Sequence, residues 1–199
     1  MQKILAPKSS KRLPVFVEQD SMDLLLDEID FGEGLSAMRD KLIIELFYTT
    51  GIRLSELMNI KIPDINFTSK IIKIFGKRNK ERFVPLSPKL CEKLSEYLNL
   101  LTSEHTKNTL VFVTNKGDKL YEKFVYRLVN SYLSKVTTIN KKSPHILRHT
   151  FATHMLNSGA DLNAIKEILG HANLSATQVY THNTIEKLKS VYNQAHPKA

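Results

Sequence analysis

The chain has 199 residues, a formal net charge of +9, 42% hydrophobic residues and 25% charged residues. This length allows one domain with a sizeable core, and the composition is ordinary for a globular protein. A single cysteine, Cys91, excludes an internal disulfide. Because neither a signal peptide nor an apolar run of membrane-spanning length is present, we expect a cytoplasmic protein with no membrane contact.

The positive charge is unevenly distributed along the chain. Residues 16–40 carry eight of the 20 acidic groups and one basic residue, Arg39, whereas residues 123–160 carry six basic residues and no acidic one. Basic surface concentrated in a few segments favours a polyanionic partner such as nucleic acid. A generally basic surface without such a partner is the alternative.

The N-terminal part predicts an arm followed by helices. Residues 1–13 are short of apolar residues and rich in Lys, Ser and Pro, which is typical of a linker, so the folded domain is expected over 14–199. A short acidic helix is predicted over about 18–29. A longer helix with an apolar stripe is predicted over Ser36–Thr50, and Gly51 is expected to end it.

Arg53 follows this helix and lies in the turn into the next one, which carries Glu56. Residues three apart share a helix face, so the two side chains could form a surface ion pair and nothing more. In the other interpretation, Arg53 binds a phosphate and Glu56 aligns it. The position alone favours neither.

A basic hairpin is predicted next, with strands over Ile71–Phe75 and Arg82–Leu86 on either side of the turn GKRNKE. Six basic residues between Lys70 and Arg82 accompany one acidic residue. Such a turn could contact a DNA backbone, although most of its lysines are expected to be solvated. Lys77, directly after Gly76, is the strongest candidate for a chemical role.

The second half of the chain is predicted to be mostly helical. The predicted elements are a helix that begins at Ser87-Pro88, a short strand over Leu110–Thr114, a helix over Tyr121 to about Thr137, and a last helix over Asn183 to about Gln194. The expected fold class is therefore mainly α with a small antiparallel three-stranded sheet (α+β).

The stretch from Ser143 to Tyr180 carries the densest set of candidate functional residues. Ser143-Pro144 predicts a helix start, which places His145 and Arg148 on one face of its first turns, close to the positive end of the helix dipole, where an anion binds well. Asp161 is expected to cap a second helix that ends at Gly170.

His171 follows directly, and the capping box Ser175–Gln178 predicts a third short helix that carries Tyr180. This arrangement favours chemistry at a phosphate. A competing metal site would use His145 and His149, which have i,i+4 spacing, but a third ligand is missing from the sequence nearby. We expect His149 and His154 to be core or supporting residues instead.

Four segments, TTGIRLSEL, GKRNKER, SPHILRHTFATH and LGHANLSATQVYTH, resemble in order the signature boxes of the tyrosine recombinase catalytic domain. The resemblance covers essentially the whole chain. The tail, which ends in AHPKA, is similar to the Xer branch of that family, which resolves circular chromosome dimers. The family's N-terminal helical domain, which completes a clamp around DNA, is expected to be absent, so this chain resembles the catalytic half.

The resemblance implies that Tyr180 attacks a DNA phosphodiester to give a 3′-phosphotyrosyl enzyme and a free 5′-hydroxyl. It implies that Arg53 and Arg148 bind the phosphate oxygens and that His145 accepts the proton of the tyrosine. Lys77 would protonate the leaving 5′-oxygen, and His171 would donate a hydrogen bond to the phosphate. Glu56 would orient its neighbours. Neither a metal nor ATP is required. Candidate DNA-binding residues are Lys73, Arg78, Lys80, Arg82, Lys141 and Lys142.

The implied partner is double-stranded DNA, bound by a homo- or hetero-tetramer on paired sites, with a monomer expected in its absence. In that assembly the last helix would dock on a neighbouring subunit through Ile185, Leu188 and Val191, whereas packing within its own chain is the alternative. Other activities left open are a mobile-element integrase, a monomeric relaxing topoisomerase and a DNA-binding module without turnover. The Xer-like tail favours dimer resolution.

Overall fold

The computed structural model describes residues 15–76, 81–104, 109–170 and 182–199. These residues form a mainly helical fold with one three-stranded antiparallel sheet, which confirms the predicted fold class. The helices are α1 (Gln19–Asp23, continued by a π-helical turn over Leu24–Glu28), α2 (Gly34–Thr50), α3 (Leu54–Leu57), α4 (Pro88–Glu104), α5 (Glu122–Leu133), α6 (Pro144–Asn157), α7 (Leu162–Leu169) and α8 (His182–Ala195). The strands are β1 (Ile65–Asn66), β2 (Ile71–Phe75) and β3 (Glu81–Pro85).

Helix α2 forms the centre of the core. It packs against α4 and α6, and every residue from 42 to 50 is buried. The helix ends at Gly51, as predicted, with a φ of 59° in the left-handed region. A Cβ at Gly51 would lie 2.6 Å from carbons of Phe151 and Leu169, so glycine is what allows α6 and α7 to approach this end of α2.

The sheet has the order β1-β2-β3, and β2 pairs with β3 in the predicted hairpin. Ile72 lies opposite Val84 and Ile74 opposite Arg82, and these four side chains share the buried face. Because side chains alternate along a strand, this register turns the side chain of Arg82 toward the core.

The strand predicted over Leu110–Thr114 is not formed. The segment makes two isolated bridges instead, between Lys61 and Leu110 and between Val113 and Lys119. Val111, Phe112 and Val113 are all buried, so this apolar run packs in the core instead of alternating between two faces. Ile65–Asn66 forms the third strand of the sheet.

Helix α8 packs against β3, α6 and α7 of its own chain. Leu188, Tyr192 and Ala195 are buried, and Ile185 and Val191 are half-buried. The single chain therefore shows the cis arrangement of this helix. Among the described residues, none of the helices has both the length and the apolar character needed to cross a bilayer.

Candidate active site

Arg53 is held at the start of α3 by Glu56. Its backbone N–H donates to Oε2 of Glu56 at 2.7 Å, and its Nη1 donates to Oε1 at 2.9 Å. The first contact caps the helix, because a carboxylate three positions into a helix can accept the otherwise unpaired N–H of the residue before it. The contact between Arg53 and Glu56 that both interpretations of the sequence assume is therefore present, and it fixes a guanidinium whose side chain is still 40% exposed.

The same carboxylate also binds Arg82. Nη1 and Nη2 of Arg82 donate to the two oxygens of Glu56, each at 2.8 Å, and both side chains are almost fully buried. Burial raises the pKa of the Glu56 carboxyl, but the hydrogen bonds and charge of Arg82, together with hydrogen bonds from Arg53, outweigh it and lower that pKa to about 2. Glu56 is therefore ionised at neutral pH and orients two arginines.

Arg148 approaches from α6. Its Nη1 donates to the backbone oxygen of Gly51, and its Nη2 donates to that of Leu169 at 2.8 Å. Burial, then the positive charges of Arg53 and Arg82, lower the pKa of Arg148 to about 10, with Glu56 acting in the opposite direction. The guanidinium therefore remains charged at neutral pH, and its proximity to two other cations favours binding of an anion.

Three guanidiniums meet at the C-terminal end of α7. Arg82 Nε donates to Ile168 at 2.7 Å, Arg148 to Leu169 at 2.8 Å and Arg53 Nη2 to Gly170 at 3.1 Å, each time at the backbone oxygen. The last carbonyls of a helix have no partner within it and carry its negative dipole end, so they suit cations. One helix end thereby brings together side chains that are far apart in sequence.

Helix α7 begins and ends as the sequence predicted. The side chain of Asp161 accepts hydrogen bonds of 3.0 Å from the backbone N–H groups of Asn163 and Ala164. The helix ends at Gly170, which has a φ of 67°. A Cβ there would lie 2.9 Å from Cδ of Arg82, so this glycine is needed both for the turn and for the close approach of the arginine.

His145 lies on the first turn of α6, as expected from Ser143-Pro144, and is exposed. The hydroxyl of Tyr126, on α5, lies 3.4 Å from its Nδ1. No sequence signal distinguishes Tyr126 from the other tyrosines, since its proximity to His145 depends on how α5 packs against α6. A partner at Nδ1 favours one orientation of the imidazole.

Five predicted site residues lie outside the described residues. They are Lys77, Arg78, Lys80, His171 and Tyr180. Among the described DNA-binding candidates, Lys73 forms an ion pair with Glu81 at 2.9 Å and lies over the ring of Phe75. Lys141 and Lys142 precede α6. The prediction that Arg82 contacts DNA is corrected, because its side chain is 5% exposed and engaged by Glu56 and Ile168.

The two other histidines of α6 have different environments. His154 is buried and bonded through Nδ1 to the hydroxyl of Tyr48 at 2.9 Å, which makes it a core residue. His149 is exposed. No group of three His, Cys, Asp or Glu side chains that could hold a metal ion occurs in the described part of the chain.

The sequence profile of the phage integrase family matches residues 16–187, which is most of the chain. The chain belongs to the phage integrase family. Within this family, tyrosine recombinase XerC of Pelotomaculum thermopropionicum is 40% identical over 204 residues, which cover 99% of this chain and 66% of the relative. Tyrosine recombinase XerD of Staphylococcus haemolyticus is 39% identical over 98% of this chain and 67% of the relative. This integrase-family chain thus spans about two thirds of the relatives' length.

Solved structures of the family share the fold. The crystal structure of XerA recombinase has a TM-score of 0.71 and 34% identity, covering 94% of this chain and 67% of that one. XerH recombinase bound to its difH substrate has a TM-score of 0.73 and 28% identity, covering 95% and 52%. The family resemblance drawn from the four sequence segments is confirmed.

Proposed function

We propose that this chain is the catalytic part of an Xer-type site-specific recombinase, which cleaves and rejoins DNA strands through a 3′-phosphotyrosyl intermediate and resolves chromosome dimers. The observation that carries the proposal is the pairing of Arg53 and Arg148 on the adjacent carbonyl oxygens of Gly170 and Leu169. Two guanidiniums held this way suit the two non-bridging oxygens of one phosphodiester. The similarity to XerC, XerD and XerA supports the choice of reaction.

Both arginines keep hydrogen-bonding capacity for a substrate. A guanidinium has five N–H donors, and the described residues engage two on Arg53 and two on Arg148. The remaining donors can bind phosphate oxygens as negative charge increases there in the transition state. Each such contact contributes roughly 3 kcal/mol to lowering the barrier.

The reaction needs two proton transfers. An unperturbed phenol has a pKa near 10, so Tyr180 needs a base to take its proton as its oxygen bonds to phosphorus, and His145 is assigned that role. The bond to the 5′-oxygen then breaks, and Lys77 supplies the proton that makes it a hydroxyl. His171 donates to the phosphate. Attack by a 5′-hydroxyl reverses these steps, so the phosphotyrosine bond conserves the energy for rejoining without ATP.

DNA binding by this chain is supported by its net charge and by the DNA-bound recombinases that share its fold. Lys73, Lys141 and Lys142 are proposed to contact the DNA backbone, together with Arg78 and Lys80 in the hairpin turn. Binding should weaken steeply as salt increases, because phosphate contacts release counterions. On chromosomal DNA the protein would be associated with the nucleoid.

Assembly of four subunits on two paired sites is proposed as the active form. The described chain packs Leu188 and Tyr192 of α8 against its own core. Docking of α8 on a neighbour would therefore have to expose these side chains and bury them again in trans. The free chain is expected to be a monomer, which sedimentation with and without paired DNA sites would measure.

Covalent trapping tests the proposed activity. The protein would first be used to select the DNA sites that it binds from a random pool of duplexes. Each selected site would then be synthesised as a series of duplexes with a nick at successive positions, and these would be incubated with the protein in EDTA. We expect a covalent protein–DNA band on denaturing gels that is absent in Tyr180→Phe and retained in Tyr121→Phe, a control at a 50% exposed tyrosine. DNA binding with no covalent band at any nick would instead favour a non-catalytic DNA-binding module.

A further inference from the structure

We propose that Arg82 is a positioning residue of the active site, which sets the guanidinium of Arg53 through Glu56 and fixes the end of α7 through Ile168. This inference rests on the proposed recombinase function and adds a residue to its machinery. Arg82 itself touches no substrate, because its side chain is 5% exposed. Its effect on the reaction is transmitted by groups that are closer to the phosphate.

The carboxylate of Glu56 is shared between the buried and the exposed arginine. Oε1 accepts Nη1 of Arg53 at 2.9 Å and Nη1 of Arg82 at 2.8 Å. Oε2 accepts the backbone N–H of Arg53 at 2.7 Å and Nη2 of Arg82 at 2.8 Å. Four donors therefore define the plane and position of one carboxylate, and removal of the two from Arg82 would let it rotate away from Arg53.

All three nitrogens of the Arg82 guanidinium take part in these contacts. Two nitrogens bind Glu56 while the third, Nε, donates to the backbone oxygen of Ile168 at 2.7 Å. A lysine carries the same charge as a point ammonium and cannot make this planar set of contacts. Arg82→Lys therefore keeps the charge next to Glu56 but loses the geometry, which makes it the informative substitution.

The contact with Ile168 links Arg82 to the second half of the site. Ile168, Leu169 and Gly170 are consecutive, and their backbone oxygens bind Arg82, Arg148 and Arg53 in that order. A shift of Arg82 would therefore change both the carboxylate and the helix end that hold Arg53. Arg148 shares that helix end and would be displaced to a lesser extent.

A double-mutant cycle in the full 199-residue chain tests this role. Single-turnover cleavage of a saturating nicked duplex would be measured for Arg82→Lys, Arg53→Ala and the double variant. Because small displacements of reacting groups cost about 100-fold, we expect Arg82→Lys to lower the cleavage rate by roughly that factor, with DNA affinity changed less than about threefold. In the Arg53→Ala background, the further loss should fall below about fivefold, because the group that Arg82 positions is already gone.

Arg39→Lys is the matched control for a purely structural effect. Arg39 is equally buried, pairs with Asp40 and donates to the backbone oxygen of Val113. Its substitution should lower stability but change cleavage by the same factor in both backgrounds. If Arg82→Lys behaves like this control, with one factor in both backgrounds, the positioning role is overturned. A large loss of DNA affinity would equally overturn it.

A second measurement keeps this inference separate from the proposed function. If the wild-type chain forms no covalent complex, the recombinase activity fails, but the contact between Glu56 and Arg53 can still be measured. The ¹⁵N signals of the Arg53 guanidinium in the free protein should shift and broaden in Arg82→Lys and stay unchanged in Arg39→Lys. Unchanged Arg53 signals in Arg82→Lys would contradict the positioning role whatever the activity of the chain.

Discussion

Arg82 donates two hydrogen bonds of 2.8 Å to Glu56, and neither side chain is more than 5% exposed. Removing two charges from water is costly, and their attraction repays that cost only when the geometry satisfies both groups. Here Arg53 and Ile168 complete the set of contacts. The pair thus joins α3, β3 and α7, and it holds Arg53, the arginine that we assign to the phosphate.

Substitution of Glu56 by Gln should be strongly destabilising. The neutral amide leaves the buried charge of Arg82 uncompensated, so we expect the free energy of unfolding to fall by about 3–5 kcal/mol in urea titrations at pH 7. Glu81→Gln is the control, because Glu81 pairs with Lys73 at the surface and should cost less than about 1 kcal/mol. Equal, small losses in both variants would show that the buried pair contributes no more than a surface pair.

The pKa of Glu56 also predicts how stability depends on acidity. Its folded-state pKa of about 2 is below the ordinary glutamate value of 4.5, so the stabilisation is complete above pH 4.5 and is lost as the pH falls toward 2. The difference corresponds to roughly 3 kcal/mol. Urea unfolding at successive pH values should show this loss in the wild type and a shallower one in Glu56→Gln. Parallel profiles would contradict the assignment.

Alanine substitutions at two glycines with positive φ distinguish the cost of backbone strain from the cost of a steric clash. Gly159 has a φ of 85°, and a Cβ added there would have nothing within 4 Å, whereas a Cβ at Gly170 would lie 2.9 Å from Arg82. Gly159→Ala should cost about 1–2 kcal/mol through strain alone. Gly170→Ala should cost about 1–3 kcal/mol more, because Arg82 has to move. Equal costs in thermal or urea unfolding would show that Arg82 accommodates the methyl group freely.

His196 should make the fold sensitive to mild acid. Burial lowers its pKa to about 4, helped by the nearby charges of His154 and Lys198 and opposed by the hydrogen bond to the backbone oxygen of Tyr48. Because the folded pKa is below the unfolded value of 6.5, its stabilisation is present above pH 6.5 and lost as the pH falls from 6.5 toward 4, by roughly 3 kcal/mol.

His196→Phe tests this dependence, since a phenyl ring can keep the stacking on Tyr192 and Phe151. The variant should lose about 2 kcal/mol at pH 7, because the imidazole's hydrogen bonds with the backbone oxygen of Tyr48 and the backbone N–H of Lys198 are both missing, and then lose much less than the wild type on acidification. A small dependence should remain from His154, whose pKa burial also lowers. An unchanged slope would contradict a neutral, buried His196.

Tyr126 should contribute to the reaction through His145. Tyr126→Phe removes the contact that orients the imidazole at Nδ1, which is worth about 1 kcal/mol, so single-turnover cleavage should slow about fivefold with DNA affinity unchanged. Tyr121→Phe, at an exposed tyrosine one turn earlier, is the comparison. Equal cleavage rates for the two variants would leave Tyr126 without a role.

Local signals were sufficient to predict most elements of the fold. Gly51 and Gly170 end helices in the left-handed conformation, and Asp161 caps α7 through its side chain, all as expected from the sequence. The prediction of a strand at Leu110–Thr114 was wrong. A run of buried apolar residues lacks the alternation of polar and apolar side chains that would distinguish a strand from a packed loop.

The hydrogen-bond network that joins the three arginines of the candidate site was not predictable from the sequence. Arg82 was assigned to DNA because it belongs to a basic segment, although strand alternation places it on the same face as the buried Val84. The three arginines that share the end of α7 come from three separate segments of the chain. Their convergence depends on how those segments pack, which spacing along the sequence does not encode.

Chemical mapping of the covalent complex tests the central claim most directly. After trapping and nuclease digestion, trypsin should release the peptide of residues 167–187, and mass spectrometry should find a nucleotide joined through its 3′-phosphate to Tyr180. That result would establish tyrosine chemistry with the predicted polarity. Attachment at another residue, or a 5′-phosphate linkage at Tyr180, would contradict the mechanism.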